Sequence, residues 1–596
     1  MEEAHAHIDS IIHHHETAIA ACNATIIALH NQINNIQITS TIYQARIFSL
    51  RSQRNEYTEI YRLPVEVLCQ IFSFAQINDR GEMLPFSEWT EFTRVSRHWR
   101  NVALEYRYLW ANITMTNGFN NSYWAEQAVK RSKGAKLVIN IFGEKAFFPS
   151  VLHISRFCQN PIRGLRVSYN SVEDIWMGVQ STLAQFQTPY FEFLDLEGVD
   201  ARSYSHPVSA SRWCQYPAVS EDVLRNNLQR LRNMRLVNCS IDWSSNPLFQ
   251  SAMTHLTVRN PALMPTSKQF VFALKEMPNL QYLDLENAFP PADQTTIQAH
   301  VHFYHLKYLH LYSCISDEVE DFFGLVTFPP GATVQVKIGC SMSPGRPNIP
   351  RITAAVSKSY SLKPNAPGPI FRSISLFQPI SNKNHTSGLK LVLFKTRKYT
   401  EQLIYDPGDI GVDFRLEFCW RTQSSSTEER LVMKQFINAI FSSSLPLQGI
   451  QCMSLAWRAE QQELTPDLMM NTFGKLSNVD TVVTGGNSSR PLVDAFDRGL
   501  ASQEAPNGSQ VEHIFYFPKV SSMCFCNARI INSKSAPNPV AVPVELIQDC
   551  LVRQCKRGIE IKNVSFIQCR GLGQEETVYA MQESLFNGFR EAMMSL

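Results

Sequence analysis

Two sets of residues in this chain have the types and spacing that could do chemistry. His5, His7, His13, His14 and His15 crowd the first fifteen positions, and imidazoles in such numbers could sense pH or ligate a metal. No Cys or carboxylate set completes a ligand shell beside them, so a solvated polar face is expected instead. The second set is Cys524-x-Cys526 with Cys550 and Cys555. It lacks the paired C-x-x-C knuckles of a structural zinc site. Cys524 and Cys526, two apart, would share one side of a strand, where core packing is the expected role. The phosphate-cradling G-x-x-x-x-G-K-[ST] and G-x-G-x-x-G, the nucleophile elbow G-x-S-x-G and the metalloprotease H-E-x-x-H do not occur. The sequence asks for no cofactor and no metal, and it points away from an enzyme.

Composition bounds the remaining classes. The chain has 596 residues, 44% hydrophobic and 18% charged, which favours a folded protein over a disordered one. Lys plus Arg is 55 against 53 Asp plus Glu, a net charge of +2, so no global electrostatic footprint for nucleic acid or an anionic membrane exists. The start, MEEAHAHIDS, has no basic region before an apolar run, and no long uninterrupted apolar stretch comes after it. Fourteen dispersed Cys form no compact disulfide framework. An intracellular protein, cytoplasmic or nuclear, is expected.

The first 63 residues contain neither Gly nor Pro, which predicts one uninterrupted helix over residues 1–58. His5, Ile12, Ile19, Ile26, Ile33, Ser40 and Ile47 form one heptad series, and Ile8, His15, Cys22, Leu29, Ile36, Tyr43 and Leu50 the other. That a/d pattern is the seam of a coiled coil. A helix this long with a narrow apolar seam needs a partner helix. A homodimer through residues 1–58, parallel given the Ile-rich a positions, is the favoured expectation; the alternatives are another protein's helix and a fold back onto this chain.

Residues 60–113 position the next features. In YRLPVEVLCQIFSFA, Pro64 suits the first helical turn, and Val67, Leu68, Ile71, Phe72 and Ala75 fall on one face. Phe92, Val95, Trp99, Val102 and Ala103 stripe a second helix, beyond a turn marked by Gly81 and Pro85. A module of some fifty residues cannot bury so many large apolar groups by itself. LPVEVLCQIF followed by FTRVSRHWRNVALEYRYLW resembles an F-box, in the order found in the F-box-like proteins abundant in mushroom-forming fungi, where it follows a heptad helix. The resemblance implies a Skp-type adaptor as partner, touched by Leu63, Pro64, Glu66, Leu68, Ile71, Phe72, Val95 and Trp99. It also implies that Leu109 and Trp110 pack the module onto the next elements of the chain. The segment between Ala75 and Glu91 is longer than in a compact F-box, which leaves the path of the middle helix open.

The remainder shows a degenerate repeat. Ile162/Leu165/Val167/Asn170, Leu231/Met234/Leu236/Cys239, Leu306/Leu309/Leu311/Cys314 and Ile561/Val564/Phe566/Cys569 match L-x-x-L-x-L-x-x-N/C. Phe191/Leu194/Leu196, Met253/Leu256/Val258 and Leu280/Leu283/Leu285 match its strand alone. Spacings run about 22–29 residues, with one step of about 40 holding SHPVSASRWCQYP, against about 20–29 for a leucine-rich repeat. Later strand markers, Phe371/Ile374/Leu376, Ile450/Met453/Leu455, Leu476/Val479 and Val520/Met523/Phe525, are irregularly spaced. SKQFVFALKEM and RLVMKQFINAIF read as outer helices.

The expected fold is therefore α/β. A coiled-coil helix (1–58) precedes a small all-α F-box-like domain (60–113) and an irregular leucine-rich-repeat solenoid (135–340). A Pro-rich linker or loop (341–370) then leads to an irregular second repeat block (371–596). The bland alternative is a doubly wound α/β domain. By function the expectation is a non-catalytic substrate-recognition subunit of a Skp/cullin/F-box ubiquitin ligase whose repeats bind an unknown target; a coiled-coil scaffold and an enzyme with dispersed residues are the alternatives.

Overall fold

The computed structural model describes residues 1–77, 84, 86–115, 121–143, 161–169, 190–198, 230–239, 241–244, 248–291, 300–313, 315–340, 349–359, 370–377, 386–398, 411–421, 426–442, 445–457, 464–498, 500–503, 512–515, 517–531, 541–559 and 561–569. The chain divides into two units, Met1–Phe142 with Gln159–Pro161, and Gly143–Cys158 with Ile162–Leu596.

The first unit opens with α1, Glu2–Glu56, a helix of 55 residues and so about 80 Å long. None of its residues is buried: Ile8, Ile12, Ile19, Ile26, Leu29, Ile33, Ile36, Ile47 and Leu50 all stand exposed. Its threonines turn inward onto the helix, as Thr17 Oγ1 donates to the His13 carbonyl at 2.8 Å and Thr25 Oγ1 to that of Ala21 at 2.9 Å. A short 3-10 turn (Glu59–Arg62) leads into α2 (Val65–Ala75), α3 (Phe86–Trp89), a second 3-10 turn (Thr90–Arg94), α4 (Arg97–Glu105) and α5 (Arg107–Trp110). The unit ends with β1 (Asn112–Met115), α6 (Asn121–Ser132) and β2 (Leu137–Gly143), β1 and β2 pairing in parallel.

The second unit is built on a large, mostly parallel sheet. Its strands are β3 (Ile162–Tyr169), β4 (Phe193–Gly198), β5 (Asn233–Val237), β6 (His255–Arg259), β7 (Tyr282–Glu286), β8 (Val301–His302), β9 (Tyr308–Ser313), β10 (Val326–Thr327), β11 (Thr333–Cys340), β12 (Ser373–Phe377), β13 (Thr386–Phe394), β14 (Phe414–Arg421), β15 (Cys452–Trp457), β16 (Thr481–Gly486), β17 (Leu500–Gln503), β18 (Glu512–Phe515), β19 (Ser522–Cys526), β20 (Ile530–Ile531), β21 (Val542–Pro543) and β22 (Asn563–Ile567). Three short pairs, β8 with β10, β17 with β18 and β20 with β21, stand apart; the main sheet runs β3-β4-β5-β6-β7-β9-β11-β14-β13-β12-β15-β16-β19-β22. Sequential order fails once, where β13 runs antiparallel to both β12 and β14.

The repeat markers lie in register. Leu165 pairs with Leu194, Leu194 with Met234, Met234 with Leu256, Leu256 with Leu283, and Leu283 with Leu309. Each is buried, on the face covered by the helices Ser267–Lys275, Ser316–Leu325 and Ile349–Ser359, whose Phe270 and Phe322 rings meet edge to face at 6.2 Å. The strand starts share one bond pattern: the Arg232 and Asn233 amides both donate to the Glu192 carbonyl, Thr254 and His255 to that of Arg232, and Gln281 and Tyr282 to that of Thr254. The strand ends share another. Asn238, Asn260, Asn287 and Asn527 each follow a strand with positive φ, a conformation Asn tolerates because its amide bonds locally. Asn238 Nδ2 donates to the Gly198 carbonyl at 2.7 Å, and a Cβ at Gly198 would sit 2.7 Å from the Asn238 carbonyl oxygen, so only glycine fits there. Cys239 Sγ contacts the Val237 carbonyl at 3.2 Å and Cys569 Sγ the Phe525 carbonyl at 3.3 Å; Asn170, Cys314 and SHPVSASRWCQYP lie outside the described residues.

Two expectations need correction. The segment read as a Pro-rich linker or loop contains the helix Ile349–Ser359, with Pro350 in its first turn, where a missing N–H costs nothing; Ile349, Ile352 and Val356 are buried. The marker pair Leu476/Val479 precedes its strand, which starts at Thr481. Both residues are buried in the approach to β16, and an apolar pair two or three apart does not separate strand from approach.

Candidate functional site

In the first unit the candidate site is the helical module around α2 and α4. Pro64 sits one position before the first turn of α2, and its carbonyl accepts from the Val67 and Leu68 amides at 3.0 and 3.1 Å. Glu66, in that first turn, complements the positive end of the helix. Ser96 starts α4 by accepting from the Trp99 amide at 3.1 Å, so the Val-Ser-x-x-Trp run has a capping reason for its Ser. Phe72 lies between the two helices: it stacks on Phe92 at 4.3 Å and meets Trp99 edge-on at 5.4 Å.

The residues assigned to adaptor contact divide by burial. Pro64, Glu66, Ile71 and Val95 are exposed, while Leu63 and Trp99 are half-buried. Leu68 and Phe72 are at 0% exposure and face inward in the single chain. Spacing on one helix could not separate Leu68 and Phe72 (i, i+4) from Val67, Ile71 and Phe74 (i, i+4, i+7), because the two rows are adjacent. The second row faces outward, Phe74 at 76% exposure. Ile60, Val65 and Phe74 are exposed apolar residues that sequence reasoning missed; the i+3 step from Ile71 to Phe74 was the available signal. Burial, then the nearby Glu66 charge, raises the Cys69 thiol pKa.

The back of the module is an aromatic cluster. Trp110 is 1% exposed and Leu109 fully buried, and Trp110 Nε1 donates to the Ala103 carbonyl at 2.7 Å. Phe86 and Trp89 approach the Trp110 ring at 6.4 and 5.4 Å, and Arg131 of α6 covers it at 4.4 Å. The expectation that Leu109 and Trp110 join the module to the next elements fits this packing. Phe86–Trp89 is the middle helix whose path was open.

In the second unit, the sheet face opposite the helices changes character along its length. From β3 to β14 it carries charged ladders. Arg166 and Arg235 both hold Asp195 at 2.8 Å, Arg259 and His310 hold Asp284 at 2.7 Å, and Lys337 faces Glu417 at 3.7 Å. Burial opposes ionisation of Asp284, yet the His310 and Arg259 bonds outweigh it and hold its pKa below the usual range. His255, Tyr282 and Tyr308 stack beside these ladders at 5.7 and 4.6 Å. From β13 onward the same face buries Phe377, Val392, Phe394, Cys452, Val483, Cys524 and Cys526 together, with Lys390, Ser375 and Ser454 in the same rows. The Cys524 and Cys526 sulfurs lie 3.4 Å apart within that cluster. Cys550 is buried in the helix Val544–Lys556, and burial pushes its thiol up to about 12.

Among the described residues, no set of three or more His, Cys, Asp or Glu side chains is gathered that could hold a metal ion. Nor is any described helix long and apolar enough to cross a membrane. None of the curated proteins matches the chain. Residues 60–116, the helical module with β1, match the F-box-like family, and the chain therefore carries an F-box-like domain.

Proposed function

We propose that this chain is the substrate-recognition subunit of a Skp/cullin/F-box ubiquitin ligase. The observation that carries the reading is the F-box-like match over residues 60–116, a module whose Pro64, Val67, Ile71 and Phe74 remain exposed. A scaffold without ligase role would need Pro64 and Ile71 covered by its own chain; their exposure among the described residues favours the ligase reading. Apolar contacts from this row, centred on Ile71, dominate adaptor docking; Leu68, Phe72 and Trp99 hold the row in place.

The irregular repeats of the second unit act as a leucine-rich-repeat-like solenoid that presents the target, supported by the register of its markers and by the recurring Asn at strand ends. The chain itself is non-catalytic. Ubiquitin transfer belongs to partner subunits, and this protein contributes by holding a lysine-bearing target at high effective concentration. α1 pairs with the α1 of a second copy through its exposed heptad seam. The site of action is intracellular, where the ligase subunits reside. Co-expression with a Skp-type adaptor tests the core of the proposal: the wild-type chain co-purifies with the adaptor, and Leu63→Ala with Pro64→Ala does not. Undiminished co-purification of a folded double variant refutes it.

A further inference from the structure

The recess on the polar face of the second unit holds a group whose needs are unmet. Asp284, His310, Gln335 and Arg415 pair in one row across β7, β9, β11 and β14 and, with Lys337 and Arg259, line a space of about 330 Å³. Both Asp284 oxygens are taken, Oδ2 by Arg259 Nη2 and Oδ1 by His310 Nδ1, each at 2.7 Å. Glu417 lies 3.7 Å from Lys337. Gln335 differs. It is 4% exposed, in the middle of β11, and its Nε2 is buried without a hydrogen-bond acceptor. A buried donor left unmet is costly, and an incoming acceptor removes that cost.

The charges around it say what kind of acceptor fits. Arg259, Lys337 and Arg415 line the recess with Asp284 and Glu417; Arg259 is engaged by Asp284 and, at 3.7 Å, by Glu286, which leaves Lys337 and Arg415 facing Glu417. A carboxylate therefore suits the site better than a neutral carbonyl. The volume admits one or two side chains, and the Tyr282 and Tyr308 rings, 4.6 Å apart and within 9° of parallel, give a flat wall for the aliphatic stem of such a residue.

We propose that an acidic segment of the target protein docks in this recess, an Asp or Glu carboxylate accepting from Gln335 Nε2 while Lys337 and Arg415 supply the counter-charge. The proposal rests on the substrate-recognition reading and names the chemistry of the substrate's docking segment.

Panning a phage library of random dodecapeptides on the full chain tests it, followed by fluorescence anisotropy of one synthetic selected peptide. Expected are selected peptides enriched in Asp and Glu over the starting library, and at least tenfold weaker binding when the key Glu is replaced by Gln. Gln335→Glu, which places a carboxylate against the ligand's own, and Lys337→Glu, a change at the half-exposed rim, should each weaken the peptide at least tenfold while adaptor co-purification persists. Selection without acidic enrichment, or affinity unchanged in both folded variants, overturns the proposal. So does a requirement for phosphoserine where Glu fails. Loss of peptide selection with adaptor binding intact defeats this inference alone; peptide binding without adaptor binding defeats the ligase reading instead.

Discussion

Replacing Ile26 and Ile33 of α1 by Ala should convert a dimer into a monomer. Both occupy the a series of the heptad seam, and they are 49% and 52% exposed in the single chain. Complete burial of an Ile side chain is worth about 1.5–3 kcal/mol. With roughly half of each side chain still to be covered, each contributes about 0.8–1.5 kcal/mol on pairing. A dimer buries four of them, so the double substitution should cost roughly 3–6 kcal/mol. That corresponds to a dissociation constant raised about 10²- to 10⁴-fold. Ala is the best helix former, so the variant does not disfavour the helix locally. Sedimentation equilibrium of the full chain at low micromolar concentration reads the result directly. A wild-type dimer and a variant monomer are expected. A wild-type chain that is monomeric at tens of micromolar, or a variant that associates as strongly as wild type, would refute pairing through the seam.

Burial separates fold from docking within the F-box-like module. Phe72→Ala removes a fully buried ring wedged between Phe92 and Trp99 and should cost about 3–5 kcal/mol, seen as a lower urea midpoint. Ile71→Ala, on the exposed row one residue away, should leave that midpoint nearly unchanged. In the second unit, Asp284 has its pKa lowered by His310 and Arg259 against the effect of burial. A carboxyl whose folded pKa lies below its unfolded one adds stability that is complete above about pH 4 and is lost as pH falls through the folded value. Asp284→Asn should thus lower the melting temperature at pH 7 and flatten its decline below about pH 4, a loss of about 1–3 kcal/mol; an unchanged melt would remove the ladder from the stability account.

The strands β3 to β7 and β9 were legible because each carries L-x-x-L-x-L, mostly at a nearly regular step, and buries its marker residues. Leu165 through Leu309 therefore marked not only the strands but their register. β11, β13 and β14 were not legible. Their strands are TVQVKIGC, TSGLKLVLF and FRLEFCWR, which lack the repeat's spacing, and nothing in local alternation reports that β13 reverses direction. The helix Ile349–Ser359 was hidden by prolines that read as loop signals, although Pro350 falls where a first turn accepts it. In the candidate site, Pro64 and Trp99 were readable as landmarks of a resembled family. The split of Leu68 and Phe72 from Ile71 was not, since it depends on which adjacent row the Phe92 ring covers. Gln335 carried no sequence signal: its significance lies in the missing acceptor, which only the packed sheet reveals.

Titration of the purified full chain with a Skp-type adaptor tests the central claim most directly. One-to-one binding is predicted, with the weak salt dependence that apolar docking requires. Ile71→Ala should weaken it by about 3- to 6-fold, equivalent to about 0.6–1.1 kcal/mol, without altering the thermal melt. Absence of binding by the folded wild-type chain, or binding by Ile71→Ala as tight as that of wild type, would contradict adaptor docking through this row.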